Sequence, residues 1–310
     1  MLKNGFLALL ATVAICGVTP AMAESHNHHD HGASESAQAL KATTHKITEH
    51  IYMINGKGGN VGLFVGEDGA FLIDNEYAEA TPAILSAVKA ITQDKVRFVI
   101  NTHWHGDHTG GNEILGKEGG LIVAHDNVRS RLSVDNYIPA FDMKSEAAPK
   151  IALPLITYND QTTFHINGDT VRVIHVENAH TDGDSFVHFE HANVIHTGDV
   201  FFNGFYPFID ASTGGSLNGV IQACDKILAL ADDKTVIMPG HGPISHKAEL
   251  QAYHDMLVGV RDAIKPMIDA GKTFDEIKAA DPLAPFNAEW ADGFLSPDVW
   301  LKIVYDAMVS

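Results

Sequence analysis

Cysteine is almost missing from this chain: there are two in 310 residues, Cys16 and Cys224. A disulfide scaffold is thereby excluded. Cys224 lies within the apolar helical pattern Val220-Ile221-Gln222-Ala223-Cys224, where a buried, inert thiol is expected. Positive charge is also scarce, with 21 Lys and Arg against 39 Asp and Glu and a formal net charge of −18. Phosphate contacts need clustered cations, and none occur, so nucleic acid and anionic membranes are excluded as partners. Long apolar runs are lacking too. The one candidate, residues 6–18, is short for a permanent span. It follows Lys3 and precedes Pro20 and Ala21-Met22-Ala23, the pattern of a signal peptide cleaved after Ala23. Ile15 before Cys16 argues against a lipoprotein. A soluble periplasmic or secreted protein, with no membrane contact after cleavage, is the expectation.

What remains is ample for a core, at 45% hydrophobic residues. Residues 24–42 are low-complexity and carry His26, His28, His29 and His31. That segment is expected to be disordered, either as a solubilising tail or as a metal-capturing one. Residues 43–310 are expected to form a single domain with a C-terminal helical extension. Short strands are predicted at 51–54, 60–65 and 70–73, a helix at 80–91, and a strand at 96–100. After these come a short helix at 111–115, a strand at 121–124 and a helix at 127–132. Residues 133–160 hold Pro139, Pro149 and Pro154 and are expected to form a long loop near the site. Strands follow at 162–166, 170–176, 185–189 and 194–197, then a helix at 216–231, a strand at 235–238, and helices from about 247.

Metal-type residues stand at the ends of these strands. The 96–100 strand runs into His103-Trp104-His105-Gly106-Asp107-His108; later strands run into His180, Asp199 and His241. Imidazole and carboxylate are the donors expected for zinc or a similar borderline metal, and strand ends are where α/β folds place their chemistry. A metal site is the reading that this recurrence supports.

The ordered set His103-x-His105-x-Asp107-His108, Ala179-His180-Thr181-Asp182-Gly183-Asp184, Thr197-Gly198-Asp199 and Pro239-Gly240-His241-Gly242 resembles the metallo-β-lactamase superfamily over roughly residues 45–270. The resemblance implies an αββα four-layer sandwich of two mixed β-sheets flanked by helices. It also implies two Zn2+ ions, with iron or manganese as alternatives. His103, His105 and His180 would hold the first metal, Asp107, His108 and His241 the second, with Asp199 bridging. A metal-bridging hydroxide would then attack an amide or ester carbonyl of a small molecule. Asp107 would be catalytic as well as ligating, orienting the nucleophile. Asp74, Thr102, Thr181 and Asp184 are candidates for hydrogen bonding to the metal-bound imidazoles. His196 is either a further such group or a core residue. His125, His165, His175, His188, His191, His246 and His254 receive no role.

Departures from the best-known branches bear on substrate. β-Lactamases with a cysteine ligand carry it where this chain has Asp199, and a substrate-clamping lysine three residues later, where this chain has Phe202. No Arg or Lys occurs between Arg172 and Lys226. The aromatic run after Asp199, Phe201 to Phe208, offers an apolar lining, Phe202 and Phe205 foremost, with Asn203 or Tyr206 to hydrogen-bond an oxyanion and at least two of the rings expected in the core. The expected activity is β-lactamase-like hydrolysis of an amide or ester. Alternatives left open are a lactonase or glyoxalase-II-like thioesterase, a mononuclear iron oxidoreductase, and a non-catalytic periplasmic metal-binding protein.

Overall fold

The computed structural model describes residues 40–309. The expected signal peptide at 1–23, and all but the last three residues of the His-rich segment at 24–42, lie outside them.

The first half builds one sheet. Its strands are β1 (Thr43–Lys46), β2 (Ile51–Asn55), β3 (Val61–Gly66), β4 (Gly69–Ile73), β5 (Val96–Ile100) and β6 (Leu121–His125). Between them lie α1 (Thr81–Ile91), α2 (Gly106–Thr109) and α3 (Asn112–Lys117), and α4 (Asp126–Leu132) follows. Next come a hairpin of β7 (Asn136–Ile138) and β8 (Met143–Ser145), and then β9 (Ile156–Tyr158). The strand order is β1-β2-β3-β4-β5-β6-β9, antiparallel through β4 and parallel beyond it. The crossover from β4 to β5 runs through α1, which has Pro82 at its start and buries Ile84, Leu85 and Val88.

The second sheet follows the order β10 (Gln161–Ile166), β11 (Asp169–His175), β12 (Ser185–Phe189), β13 (Val194–His196), β14 (Val236–Met238). Its last pair is parallel, joined across α5 (Leu217–Leu230). The C-terminal part is helical: α6 (Lys247–Asp269), α7 (Phe274–Ala279), α8 (Asn287–Trp290) and α9 (Pro297–Val309). No helix of the described residues is long and apolar enough to cross a membrane.

Three apolar clusters define the layers. Phe64, Phe71, Ile73, Ile100 and Val123 of the first sheet meet Val171, Val173, Val187, Phe189 and Met238 of the second. Leu63, Leu72 and Val99 face the other way, onto Ile84 and Val88 of α1 and Leu115 of α3. Phe186 and Ile195 face out of the second sheet, in one cluster with Val220, Ile227, Leu257, Trp300 and Val304 from α5, α6 and α9. Alternate residues of one strand, such as Leu72 and Ile73, thus point to different layers, as a pleated strand requires. The result is an αββα sandwich of two mixed sheets.

Two segments differ from the sequence expectation. Residues 133–160 are not one loop, because 136–145 fold back as the β7–β8 hairpin and β9 completes the edge of the first sheet. Prolines 139, 149 and 154 lie between these short strands, where their missing N–H costs no ladder hydrogen bond. β1 shows no apolar alternation, since all four residues are exposed on a sheet edge.

Candidate metal centre

Both sheets end their strands at one edge, and the expected ligands meet there. The segment after β5 supplies His103, His105, Asp107 and His108; the loop between β11 and β12 supplies His180; the turn after β13 supplies Asp199; the loop after β14 supplies His241. Donor atoms of His103, His105, His180 and Asp199 lie within 4.8 Å of one another, as do those of Asp107, His108 and His241. Asp199 joins the two groups. Its Oδ2 is 3.5 Å from His180 Nε2 and 3.3 Å from His241 Nε2, and its Oδ1 is 3.1 Å from His108 Nε2.

Each imidazole in the first group is oriented by a bond on its other nitrogen. His103 Nδ1 lies 3.1 Å from Thr102 Oγ1, whose own proton goes to Asp74. His180 Nδ1 donates to the Phe208 carbonyl at 2.8 Å. His105 Nε2 is 3.1 Å from Asp210 Oδ2, which turns Nδ1 inward to within 2.8 Å of His180 Nε2. In the second group His108 Nδ1 donates to Asp74 Oδ2 at 2.8 Å. Such bonds fix ring orientation and raise ligand basicity.

Asp74 and Thr102 therefore touch rings of the donor cluster. Thr181 and Asp184 do not. The Asp184 carboxylate takes the Thr181 N–H and hydroxyl, folding the turn that carries His180, and burial pushes it up to about 8. His196 is buried and spans Asn60 O and the Gly198 N–H, away from the donor cluster.

The electrostatics call for cations. Burial holds His103 well below the ordinary histidine range and His180 down to about 4, so both rings are neutral and offer lone pairs. Burial also opposes charge on His108, but Asp199, Asp107 and Asp74 outweigh it and raise the group well above that range. His241 is likewise lifted against burial, to about 9, by Asp199 and Asp107. Burial works against ionising Asp107, yet His108 and His241 bring it down to about 2. Two buried atoms at the junction, His103 Nε2 and Asp199 Oδ1, find no hydrogen-bond partner. The neutral His103 and His180 rings, the carboxylates that draw protons onto His108 and His241 where a cation would otherwise sit, and the two unpaired atoms form a donor set that fits borderline metal ions.

The floor is crowded from the β2–β3 side. A Cβ on Gly59 would sit 2.2 Å from the His108 ring, and one on Gly58 would sit 2.6 Å from Asp107 Cβ. Only glycine permits this approach. The Glu76 carboxylate accepts from Gly58 N at 2.7 and 2.9 Å and so ties this loop down. Asp74 and Glu76 both adopt positive φ, at 62° and 69°. Non-glycine residues hold such backbone only where their surroundings over-determine it, and here both carboxylates are fixed by the site.

Above the donors lies a cavity of about 480 Å3 whose walls include Lys57, Tyr77, Ile138, Phe141, Met143, Phe202, Phe208 and Phe294. Of the four pocket residues expected from sequence, Phe202 belongs to this wall, stacking on His241 with centroids 5.0 Å apart. The other three do not. Tyr206 is stacked on Trp300 at 4.0 Å with its hydroxyl on Asn287, Asn203 donates to the Pro243 carbonyl, and Phe205 packs behind Phe202. The aromatic run turns away because a tight segment cannot aim every ring at one cavity. Phe208, at the end of the same aromatic run, also lines the cavity as the run as a whole was expected to, whereas sequence reasoning missed Asp210, Glu76, Lys57 and Tyr77. The signal for Asp210 was a lone carboxylate closing the apolar run Phe208-Ile209; Lys57 sits visibly among Gly56, Gly58 and Gly59.

The model of the metallo-beta-lactamase superfamily matches residues 54–241, which span every donor of the two groups. The chain belongs to that superfamily. Among curated superfamily-like relatives, a lactamase-like protein from Emericella nidulans is 24% identical over 229 residues, covering 70% of this chain and 64% of that protein. A hydroxyacylglutathione hydrolase from a Polaromonas species is 27% identical, covering 49% and 51% respectively. The chain thus spans between half and two thirds of these relatives. A metallo-beta-lactamase from Pontibacter korlensis superposes with a TM-score of 0.56 at 20% identity, covering 70% of this chain and 99% of that one. A sec-alkylsulfatase from a Pseudomonas species gives 0.65 at 16% identity, over 86% of this chain and 50% of that one. These solved structures share the metallo-beta-lactamase superfamily fold described above.

Proposed function

We propose that this protein is an exported, binuclear zinc-dependent hydrolase of amide or ester bonds, acting on small, largely neutral molecules. The observation that carries this reading is the pairing of two donor groups through Asp199 beneath an open cavity. Zinc held by His103, His105, His180 and Asp199, and by Asp107, His108, His241 and Asp199, would lower the pKa of water to about 7 and polarise a carbonyl. The chain's own groups do the rest. Asp107, kept ionised at about 2, accepts a hydrogen bond from the attacking water and orients it. Phe202, Phe208, Ile138 and Met143 exclude bulk water from that contact. Lys57 is the one Lys or Arg side chain among the described residues of the cavity wall and is paired with Glu79 at 2.8 Å. A substrate anchored through a carboxylate, including glutathione thioesters and β-lactams, is therefore a poorer fit than a neutral ester, lactone or amide.

The test is metal content of protein purified without added metal, together with ester, lactone, thioester and chromogenic β-lactam panels. Two zinc ions and turnover of neutral esters, lactones or amides support the reading. One iron and no zinc refutes it, and so does a filled site that hydrolyses nothing. Release of the protein on osmotic shock tests export.

A further inference from the structure

A second and larger cavity, of about 660 Å3, lies on the other side of the wall that closes the metal cavity. Phe208 lines both cavities. The 138–143 strap lines both as well, giving Ile138, Phe141 and Met143 to the metal side and Pro139 and Ala140 to the far side. The far cavity is completed by Phe274 and by Val299 and Ile303 of α9. Its volume falls within the range of about 300–1,000 Å3 usual for small-molecule sites.

We propose that this cavity receives the extended, uncharged apolar chain of the substrate, so that medium-length acyl chains are selected over short ones. The inference rests on the hydrolase reading for the head group alone. Three observations carry it. At the shared wall the rings of Phe141 and Phe208 meet with centroids 4.7 Å apart, beside the strap backbone and the His105–Asp210 contact. Phe141 is 41% exposed on a short helical turn, so its ring moves aside at little cost in buried area. On the rims of the two cavities, Met143 and Phe294 of the metal side are 44% and 59% exposed and Val299 of the far side 44%. Large apolar side chains grouped at the opening of a site, unlike single ones scattered on a surface, mark a surface meant to be covered.

Charge fixes the chemical class. Lys302, Asp298 and Asp306 also line the far cavity, and these charges are paired, Lys302 with Asp306 at 2.6 Å and Asp298 with Lys278 at 2.8 Å. Asp210, on the lining, is engaged by His105. An anionic group entering there meets carboxylates and no free cation, whereas a hydrocarbon chain meets Phe208, Phe274, Val299 and Ile303.

The experiment fills the cavity from its exposed rim with Val299→Trp and, separately, Ala140→Trp, neither of which touches the donors. The zinc-loaded proteins are assayed on p-nitrophenyl acetate, butyrate and octanoate. Wild type should prefer octanoate to acetate by at least tenfold in kcat/KM. Both variants should lose that preference while acetate turnover stays within twofold. An unchanged chain-length profile in both variants overturns the proposal. Octanol binding followed by calorimetry decides the matter independently of turnover. Saturable binding to wild type that is lost in Val299→Trp upholds the cavity even if no ester is hydrolysed, in which case the hydrolase reading is what fails. Equal octanol binding in both proteins, or none in wild type, overturns it.

Discussion

Asp210 Oδ2 lies 3.1 Å from His105 Nε2, and this single contact decides which nitrogen of His105 faces the metal site. Asp210 is itself held by the Thr213 hydroxyl at 2.8 Å and by Ser212. Burial opposes its charge, but the His105 hydrogen bond brings it down to about 2, so it is ionised across the neutral range. Asp210→Asn keeps the shape and removes the charge. Metal affinity is expected to fall about 10–100-fold while the metal-free protein melts near wild type. Chelator competition measures the first and thermal denaturation the second; an unchanged affinity would show that the Phe208–Thr213 segment orients His105 without the charge.

Removing metal removes a stabilising ligand. A chelator should lower the melting temperature reversibly, and zinc at a hundredfold excess over its dissociation constant should restore about 2.7 kcal/mol for each site filled. His105→Ala and Asp107→Ala should abolish hydrolysis with the fold retained, as circular dichroism can verify. The sandwich cores lie outside the donor cluster, which is why the fold survives. Unfolding of either variant would mean that the motif is mainly structural.

Gly59→Ala drives a methyl group to 2.2 Å from the His108 ring, and neither partner has room to retreat because His108 is fully buried and pinned to Asp74. Overpacking of this kind costs about 1–3 kcal/mol. The His108 side of the site should suffer first, with one metal lost on dialysis and the other retained. Stoichiometry by elemental analysis checks this. Two equivalents retained with wild-type turnover would place the strain elsewhere.

Most of the donor cluster was legible because its residues sit beside strand ends, where sequence periodicity is strongest. Val96–Ile100 announces itself as a strand, so His103 to His108 could be placed at its end without coordinates. The same holds for His241 after Val236–Met238. The groups that orient the donor rings were legible where chain proximity gave them away, as for Thr102, or where the group itself ends a strand, as Asp74 does after β4. Asp210 is 105 residues from His105, and Glu76 is 18 residues from Gly58, so no local pattern couples either pair. Pocket lining failed for a related reason. Phe202 and Tyr206 are four residues apart, yet one faces His241 and the other Trp300, a difference set by tertiary packing with α8 and α9. The β7–β8 hairpin was hidden by strands of three residues each, too short for alternation to register.

One pair of histidines that the sequence left without a role gives a pH dependence separate from the metal site. His125 and His175 stack with centroids 3.7 Å apart and planes 8° from parallel. His175 Nδ1 donates to the Asp184 carbonyl at 2.7 Å, and His125 Nδ1 accepts from Asn127 N at 3.2 Å. Burial lowers both groups, and for His175 the neighbouring His125 adds to the shift; Asp126, Asp160, Asp182 and Glu177 oppose it, whereas Lys226 adds to that of His175. The unfolded chain therefore takes up protons at higher pH than the folded one. Stability from the neutral pair is complete above the ordinary histidine value of 6.5 and is lost as pH falls through the lower folded values. His175→Phe keeps a ring against His125 and removes one titrating group, at a cost of about 0.5–1.5 kcal/mol for the lost hydrogen bond. Between pH 7.5 and 5, the wild-type melting temperature should drop more steeply than that of His175→Phe, both measured in chelator. Ligand titration is common to the two proteins and cancels in the difference. Parallel curves would mean that the stacked pair stays neutral throughout, or titrates alike in the folded and unfolded states.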